Sequence, residues 1–198
     1  MMMEKDEDDH LRSWLDYHSF LFGPENLYVW DNDSSSDKCR HTLGEYESRG
    51  VIVNYDLKTP TDFRRKGITF GQKMNELDAI GSYDFYFPLD CDEFLAVEYA
   101  PGVLRCDPDT IAEELAELSG EDRALGIQWA YYNIIGHKDY FWRIPHIKTF
   151  FRTGTFEWMD HGYHEGRAKV PGRRETRFVY IHYHYKPHAV IVKHSVTV

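Results

Sequence analysis

The chain has 198 residues, and its 23 Lys and Arg against 33 Asp and Glu give a formal charge of −10. This length fits one domain, and a hydrophobic fraction of 42% supports a buried core, which excludes disordered and fibrous proteins. Nucleic acids and anionic membranes both reward a basic surface, so the net charge argues against broad binding of either. We therefore expect a single-domain monomer that does not bind nucleic acid.

The compartment is predicted from what the sequence lacks. No stretch approaches the ~18 apolar residues that a membrane span needs, and residues 1–6 do not have the layout of a signal peptide. The cysteines Cys39, Cys91 and Cys106 are scattered, without the spacing of a disulfide framework or a zinc site. We expect a cytoplasmic protein with no membrane span in this chain.

The first predicted helix follows the acidic run at residues 6–9. Leu11, Trp14, Leu15 and Phe22 recur at the spacing of one helix face. Carboxylates favour the positive end of the helix dipole, so the acidic run is interpreted as the start of this helix.

The next predicted elements alternate between strand and helix as far as residue 93. A second helix is predicted from the Thr-x-x-Gln form of a capping box at Thr69 and Gln72, continued by a stripe that includes Ile80. Apolar runs separated by polar turns predict the strands. The strands are 27–30, followed by the polar loop 31–37, then 51–53, then 83–89, which ends in the acidic segment 90–93.

The second half begins with a well-marked helix and then changes character. Asp107 as N-cap, Pro108 at the first position and Gly120 beyond the end mark the helix. Strands are predicted at 124–135 and 178–185. Together the elements predict an α/β fold with a mainly parallel sheet flanked by helices. In such sheets ligands bind beyond the carboxyl ends of the strands, where both acidic segments, 31–37 and 90–93, fall.

Asp90 and Asp92 are the strongest chemical signal in the sequence. Two residues apart in extended chain, they point to the same side, where two carboxylates repel unless a cation joins them. Oxygen ligands select Mg²⁺ or Mn²⁺, which are commonly shared with substrate phosphates. A solvated turn is the alternative, and the apolar residues on both sides of the segment favour a site.

Three segments resemble family 2 and family 92-like glycosyltransferases. They are residues 3–18, residues 28–37, which resemble a "YDNGSTD" loop, and residues 87–95, which resemble an "FLDxDEFL" segment with an Asp-x-Asp motif. The resemblance implies a GT-A, Rossmann-like fold over 1–198, either as a minimal enzyme or as one domain excised from a longer protein. It also implies transfer of a sugar from a UDP- or GDP-sugar to a glycan or glycoprotein acceptor, with Mn²⁺ or Mg²⁺ on the diphosphate.

The resemblance also suggests roles for individual residues. Residues 1–100 would form the nucleotide-sugar half and residues 101–198 the acceptor half. The metal would be held by Asp90, Asp92 and His184, and Asp90 would also reach the donor ribose. The remaining donor-binding candidates are Met3, Glu4, Asp31, Asp33, Arg65, Gln72 and Lys186.

The acceptor side is predicted from the chemistry of the second half. An inverting enzyme needs a general base, and Asp160 is the first candidate and Glu165 the second. An acceptor platform or ordinary core packing would each explain the aromatic residues Trp129, Tyr131, Tyr132, Trp142 and Trp158.

Two other classes of protein remain open from the sequence. A metal-dependent phosphodiesterase or nuclease also uses clustered Asp and His, with two metal ions about 4 Å apart. A noncatalytic carbohydrate-binding module would explain the aromatic residues without any metal.

Overall fold

The computed structural model describes residues 1–186, apart from the side chain of Lys138, and has a mixed α/β fold. Residues 187–198 of the predicted domain lie outside the described residues. The helices are α1 (Leu11–Phe22), α2 (Asp37–Ser48), α3 (Pro60–Arg64), α4 (Lys66–Ile80) and α5 (Pro108–Ala116), with a 3₁₀ turn at Pro24–Asn26. The strands are β1 (Met2–Glu4), β2 (Tyr28–Asp31), β3 (Ile52–Asn54), β4 (Phe85–Tyr86), β5 (Glu93–Ala100), β6 (Val103–Arg105), β7 (Ala124–Ile134), β8 (His137–Arg152), β9 (Phe156–Met159), β10 (Gly166–Ala168), β11 (Arg173–Glu175) and β12 (Phe178–His182).

The first half of the chain builds a parallel sheet, as its alternating pattern predicts. β1, β2 and β3 pair in that order, and all pairs are parallel. The Met1 amino group donates to Phe87 O at 2.8 Å, and Leu89 N donates to Met1 O at 3.0 Å. The segment leading to Asp90 therefore lies beside β1, which brings the acidic residues to the carboxyl end of that strand.

The second half builds a mixed sheet, so the prediction of a mainly parallel sheet is wrong there. The order is β4-β8-β7-β12-β5-β6, with β11 also pairing with β7. Only β12 and β11 run parallel to β7, and the other pairs are antiparallel. β7 and β8 follow one another through a turn at Gly136, whose φ of 82° suits a glycine. A connection this short can join only antiparallel strands.

The sequence predicts α1, α4 and α5 but neither α2 nor α3, and the predicted helices need three corrections. α4 begins at Lys66, not Thr69, and the capping box is formed by Thr59 and Asp62 at the start of α3. Ile80, predicted to face inward, is 68% exposed. The acidic run does not cap α1, which has no side-chain cap and no acidic residue in its first turn. No helix within residues 1–186 is long and apolar enough to cross a membrane.

Helix α5 and the core follow the prediction. Asp107 Oδ1 accepts from Thr110 N at 2.9 Å, and Pro108 is the first helical residue. The largest apolar cluster lies between α1, α2, α5 and the sheets, and a second cluster lies between α4, β1, β2 and β9.

We predict that Gly67→Ala destabilises the protein, although alanine favours helices. A Cβ at Gly67, in α4, would overlap the backbone carbonyl of Asp160. Overpacking of this kind costs about 1–3 kcal/mol, against about 0.5–1 kcal/mol gained from helix propensity. Urea unfolding measures the difference. Gly44→Ala in α2 is the matched control, because nothing lies within 4 Å of its Cβ, and it should stabilise. Equal stabilisation by both changes would contradict the close contact.

Candidate active site

A cleft of about 610 Å³ opens at the carboxyl ends of β1 and β12. Its walls come from both halves of the chain. One side carries β1, the loop after it and the starts of α3 and α4, and the other carries the ends of β7 and β12 with part of β8. The acidic segment 90–93 forms the floor between them, so the cleft lies where α/β sheets bind ligands.

The floor of the cleft is a buried network of two lysines and two carboxylates. Lys148 on β8 is 1% exposed, and its Nζ donates to Asp90 Oδ2 at 2.8 Å and lies 2.7 Å from Glu93 Oε2. Lys66, the first residue of α4, donates to the other Asp90 oxygen. Both ammonium groups lie about 5 Å from the ring of Tyr163 (4.9 Å for Lys66 and 4.8 Å for Lys148). The four charges balance within the network.

These contacts lower the pKa of Asp90, whereas the pKa values of Glu93 and Lys148 are raised. Burial alone would raise the pKa of Asp90, but Lys148 and Lys66 outweigh burial and hold it well below its usual range. Burial raises the pKa of Glu93 despite the opposing charge of Lys148. Burial would lower the pKa of Lys148, and the charges of Asp90 and Glu93 reverse that effect and raise it. Asp90 is therefore an ionised carboxylate, both of whose oxygens accept hydrogen bonds from lysine.

Asp92 faces the cleft in a different environment. His182 Nε2 lies 3.4 Å from Asp92 Oδ1, and Lys186 Nζ lies 3.9 Å from Asp92 Oδ2 and 3.1 Å from Glu7 Oε2. Burial would raise the pKa of Asp92, but the hydrogen bond from His182 and the charge of Lys186 lower it below its ordinary value. The structure thus brings together Asp92 and Lys186, two residues that the sequence proposes for the site.

Four histidines line the wall beyond Asp92. The ring of His182 stacks on His146 with centroids 6.1 Å apart, His146 lies 4.8 Å from His164, and His182 lies 4.9 Å from His184. The hydroxyls of Tyr132 and Tyr180 lie 2.8 and 2.7 Å from His146 Nδ1. Burial, together with the neighbouring His164, His182 and Lys148, lowers the pKa of His146 to about 4, so this imidazole is neutral at pH 7.

The other end of the cleft carries the predicted donor residues of β1. Met3 and Glu4 both line it. Glu4 Oε1 accepts from Ser34 Oγ at 3.0 Å, and Oε2 accepts from Glu7 N at 3.2 Å. Burial is the main cause that raises the pKa of Glu4 to about 8. The hydrogen bond from Glu7 N opposes this rise, and the charge of nearby Asp31 adds to it. At neutral pH Glu4 is therefore mostly a neutral acid.

Several predicted site residues lie away from the cleft lining. Asp31 is buried and accepts from Ser34 N at 3.1 Å, as in a turn that satisfies its own backbone. Asp33 is exposed with a φ of 62°. The other predicted residues that do not line the cleft are Arg65 and Gln72, which are exposed, Asp160 and Glu165, in the loop between β9 and β10, and Lys186, which lies beside Asp92. Arg64 and Lys66 line the cleft where Arg65 does not.

The aromatic residues divide between core and surface. Tyr132 lines the cleft, and Tyr131 is buried with its hydroxyl donating to Glu98 at 2.7 Å. Trp129 packs against Arg143, whose guanidinium carbon lies 3.6 Å from the ring centroid. Trp142 and Trp158 are 61% and 42% exposed. Packing therefore accounts for Trp129 and Tyr131, and Trp142 and Trp158 remain candidates for contact with an acceptor.

The cleft offers a cation only some of its ligands, so substrate would have to complete the coordination. Within residues 1–186, no three His, Cys, Asp or Glu side chains are grouped to hold a metal ion by themselves. The pair of Asp92 and His182 offers one carboxylate and one imidazole. Mg²⁺ is commonly bound by one or two carboxylates with substrate phosphates and water as the other ligands, so the residues present fit that arrangement.

Comparisons with known proteins assign no family to this chain. No protein-family description matches it, and no curated protein matches it. Among solved structures, the chain is similar to the crystal structure of S. aureus TarS 1-349, with a TM-score of 0.45 and 10% sequence identity. The match covers 77% of this chain and 45% of the TarS chain, so this chain spans less than half the length of that protein. At this level of similarity the match carries no argument about function, which must come from the geometry of the cleft.

Proposed function

We propose that the protein is a glycosyltransferase that moves a sugar from a nucleotide-diphosphate donor to an acceptor hydroxyl on a glycan or glycoprotein. The observation that carries the proposal is the position of Asp92, directly before β5 and facing the cleft beside His182 and Lys186. A carboxylate, an imidazole and an ammonium group at that place suit a diphosphate and its counter-ion. The resemblance of residues 28–37 and 87–95 to glycosyltransferase motifs supports the same function.

The leaving diphosphate sets the demands on this part of the cleft. Glycosyl transfer breaks the bond between the anomeric carbon and a phosphate oxygen, and the negative charge that develops must be stabilised. We place Lys186 and Lys66 beside the phosphates, because both ammonium groups lie next to the cleft carboxylates. A divalent cation held by Asp92 with His182 or His184 would neutralise the same phosphates.

The nucleoside is assigned to the β1 end of the cleft. Met3 and Glu4 line the cleft there, and Glu4 is mostly a neutral acid at pH 7. The Asn32 side chain, which donates to Leu57 O and Thr59 O at 3.1 Å, ties the segment before α3 to the same side of the cleft as β1. Asp31 is the last residue of β2 and Asp33 lies just beyond it, and we propose that both support the nucleoside indirectly instead of binding it directly.

A phosphodiesterase or nuclease fits the cleft less well. That chemistry uses two metal ions about 4 Å apart, bridged by carboxylates. The two carboxylates that flank Asp92 in the sequence are both engaged by lysine: the oxygens of Asp90 accept from Lys66 and Lys148, and Glu93 Oε2 lies 2.7 Å from Lys148 Nζ. A bridging second metal would have to displace two lysines, and for that reason we favour glycosyl transfer.

The function is tested by binding of donors to the whole chain. We predict that a UDP- or GDP-sugar with Mn²⁺ raises the melting temperature, because a ligand at 100 times its Kd stabilises by about 2.7 kcal/mol. For a chain of this size that corresponds to a shift of about 5–10 °C.

Differential scanning fluorimetry with a panel of nucleotide sugars measures this shift. Mn²⁺ alone, free sugars and nucleoside monophosphates are the controls, and each should shift the melting temperature less. A panel in which no UDP- or GDP-sugar stabilises the protein, with or without Mn²⁺, would contradict the proposed function.

A further inference from the structure

The loop between β9 and β10 is held rigidly against the cleft wall. Asp160 Oδ1 accepts from Glu165 N at 3.0 Å and Oδ2 from Gly162 N at 3.3 Å, so the aspartate ties the two ends of the loop together. Tyr163 is fully buried with a φ of 60°, and its ring stacks on Phe70 of α4 at 5.4 Å. A loop fixed in this way can hold one side chain in a defined place.

That side chain is His164, which the loop places in the cleft lining. Its Nδ1 lies 2.9 Å from the backbone carbonyl of Ile147 on β8. A carbonyl oxygen only accepts, so Nδ1 carries the hydrogen and donates it. In the neutral ring Nε2 is then the unprotonated nitrogen, with a lone pair free to take a proton. This is the arrangement by which a backbone or carboxylate partner orients a catalytic imidazole.

Four other candidates for a base are either engaged elsewhere or lie outside the cleft lining. His146 Nδ1 meets two tyrosine hydroxyls, and its pKa of about 4 makes it a weak proton acceptor at neutral pH. His182 Nε2 faces Asp92. Both oxygens of Asp160 accept backbone hydrogen bonds, and neither Asp160 nor Glu165 lines the cleft.

We propose that His164 is the catalytic base of the transfer reaction and that Asp160 is a positioning residue that shapes its loop. The proposal rests on the proposed function. His164 Nε2 takes the proton of the acceptor hydroxyl while that oxygen forms a bond to the anomeric carbon of the donor. The bond between the anomeric carbon and the phosphate oxygen breaks on the opposite face, and its electron pair leaves with the nucleoside diphosphate. The product therefore has inverted configuration, and the imidazolium returns its proton to solvent.

The test uses the full chain with a panel of UDP- and GDP-sugars as donors and with water and methyl glycosides as acceptors. His164→Gln should lower the rate of donor turnover by about 10²–10⁴-fold, the usual worth of a general base, while donor affinity by calorimetry stays unchanged. His164→Ala should be partly rescued by added imidazole, which a merely structural role would not allow. His161→Gln, an exposed histidine of the same loop, is the matched control and should behave as wild type.

The outcomes separate this assignment from the function on which it rests. Normal turnover by His164→Gln, or a loss confined to Glu165→Gln, would overturn the assignment while leaving a glycosyltransferase. A product of retained configuration would also overturn it. Failure of the wild-type chain to bind any donor contradicts the proposed function itself and the base assignment with it.

Discussion

Asp92→Asn is expected to lower Mn²⁺-dependent donor turnover by about 10²–10⁴-fold while leaving the fold intact. The Asp92 carboxylate is the one that faces the cleft beside His182 without a direct lysine hydrogen bond. Asparagine keeps the shape and removes the charge that would hold a divalent cation on the diphosphate. The loss of several kcal/mol of charge stabilisation in the transition state corresponds to that range of rates.

Turnover of the panel of nucleotide sugars at limiting Mn²⁺, with Mn²⁺ binding followed by electron paramagnetic resonance, measures the effect. Asp109→Asn is the matched control, an exposed aspartate in the first turn of α5, and it should keep wild-type turnover and Mn²⁺ affinity. If Asp92→Asn turned over donor at the wild-type rate under these conditions, Asp92 would not be a metal ligand. The Asp-x-Asp segment would then have a structural role only.

The first half of the fold is predictable from sequence because its signals are local. Short apolar runs, each ended by a polar turn, mark β2 and β3, and at the start of the second half Pro108 after the Asp107 cap marks α5. The parallel pairing then follows from the alternation of strand and helix. The error at Thr69 has a local cause as well, because two capping boxes compete and the one at Thr59 belongs to the short helix before α4.

The long strand β8 could not be predicted from its own residues. Pro145 lies in its middle, and proline in a run argues against a central strand because it cannot donate to the ladder. The structure accommodates it at an irregularity, where Trp129 pairs with Pro145 and Ile127 pairs with Lys148. Such a bulge depends on the partner strand and leaves no signal in the run itself.

The candidate site was predictable only where its residues are adjacent in sequence. Asp90 and Asp92 form a motif, so the sequence places them together. Lys148 and His146 approach them only because β8 pairs with β7 in the sheet. Lys148 is 58 residues away from Asp90 in the sequence. One signal for Lys148 exists, since a charge just before the buried Phe150 and Phe151 is costly unless it is paired.

Lys148→Met is expected to destabilise the protein by about 3–5 kcal/mol, the usual cost of removing one partner of a buried ion pair. Asp90 would keep Lys66 as its partner. Glu93 would keep only the hydrogen bond from Asp90 N at 2.9 Å, since His182 Nδ1 is 3.8 Å away. Glu93 is 0% exposed, so its charge cannot turn to water, and the loss falls on this carboxylate.

A double-mutant cycle measured by urea unfolding isolates that cost. Glu93→Gln added to Lys148→Met removes the unpaired charge and should recover a large part of the stability, whereas two independent changes would add their losses. Lys73→Met is the matched control, because Lys73 pairs with Glu76 at 2.5 Å on the surface, where such a change moves stability by about 0.5 kcal/mol or less.

If Lys148→Met were as mild as Lys73→Met, the network would not hold the acidic segment. The orientation of Asp92 toward the cleft would then need another cause, such as the bond from Tyr183 N to Asp92 O at 2.9 Å.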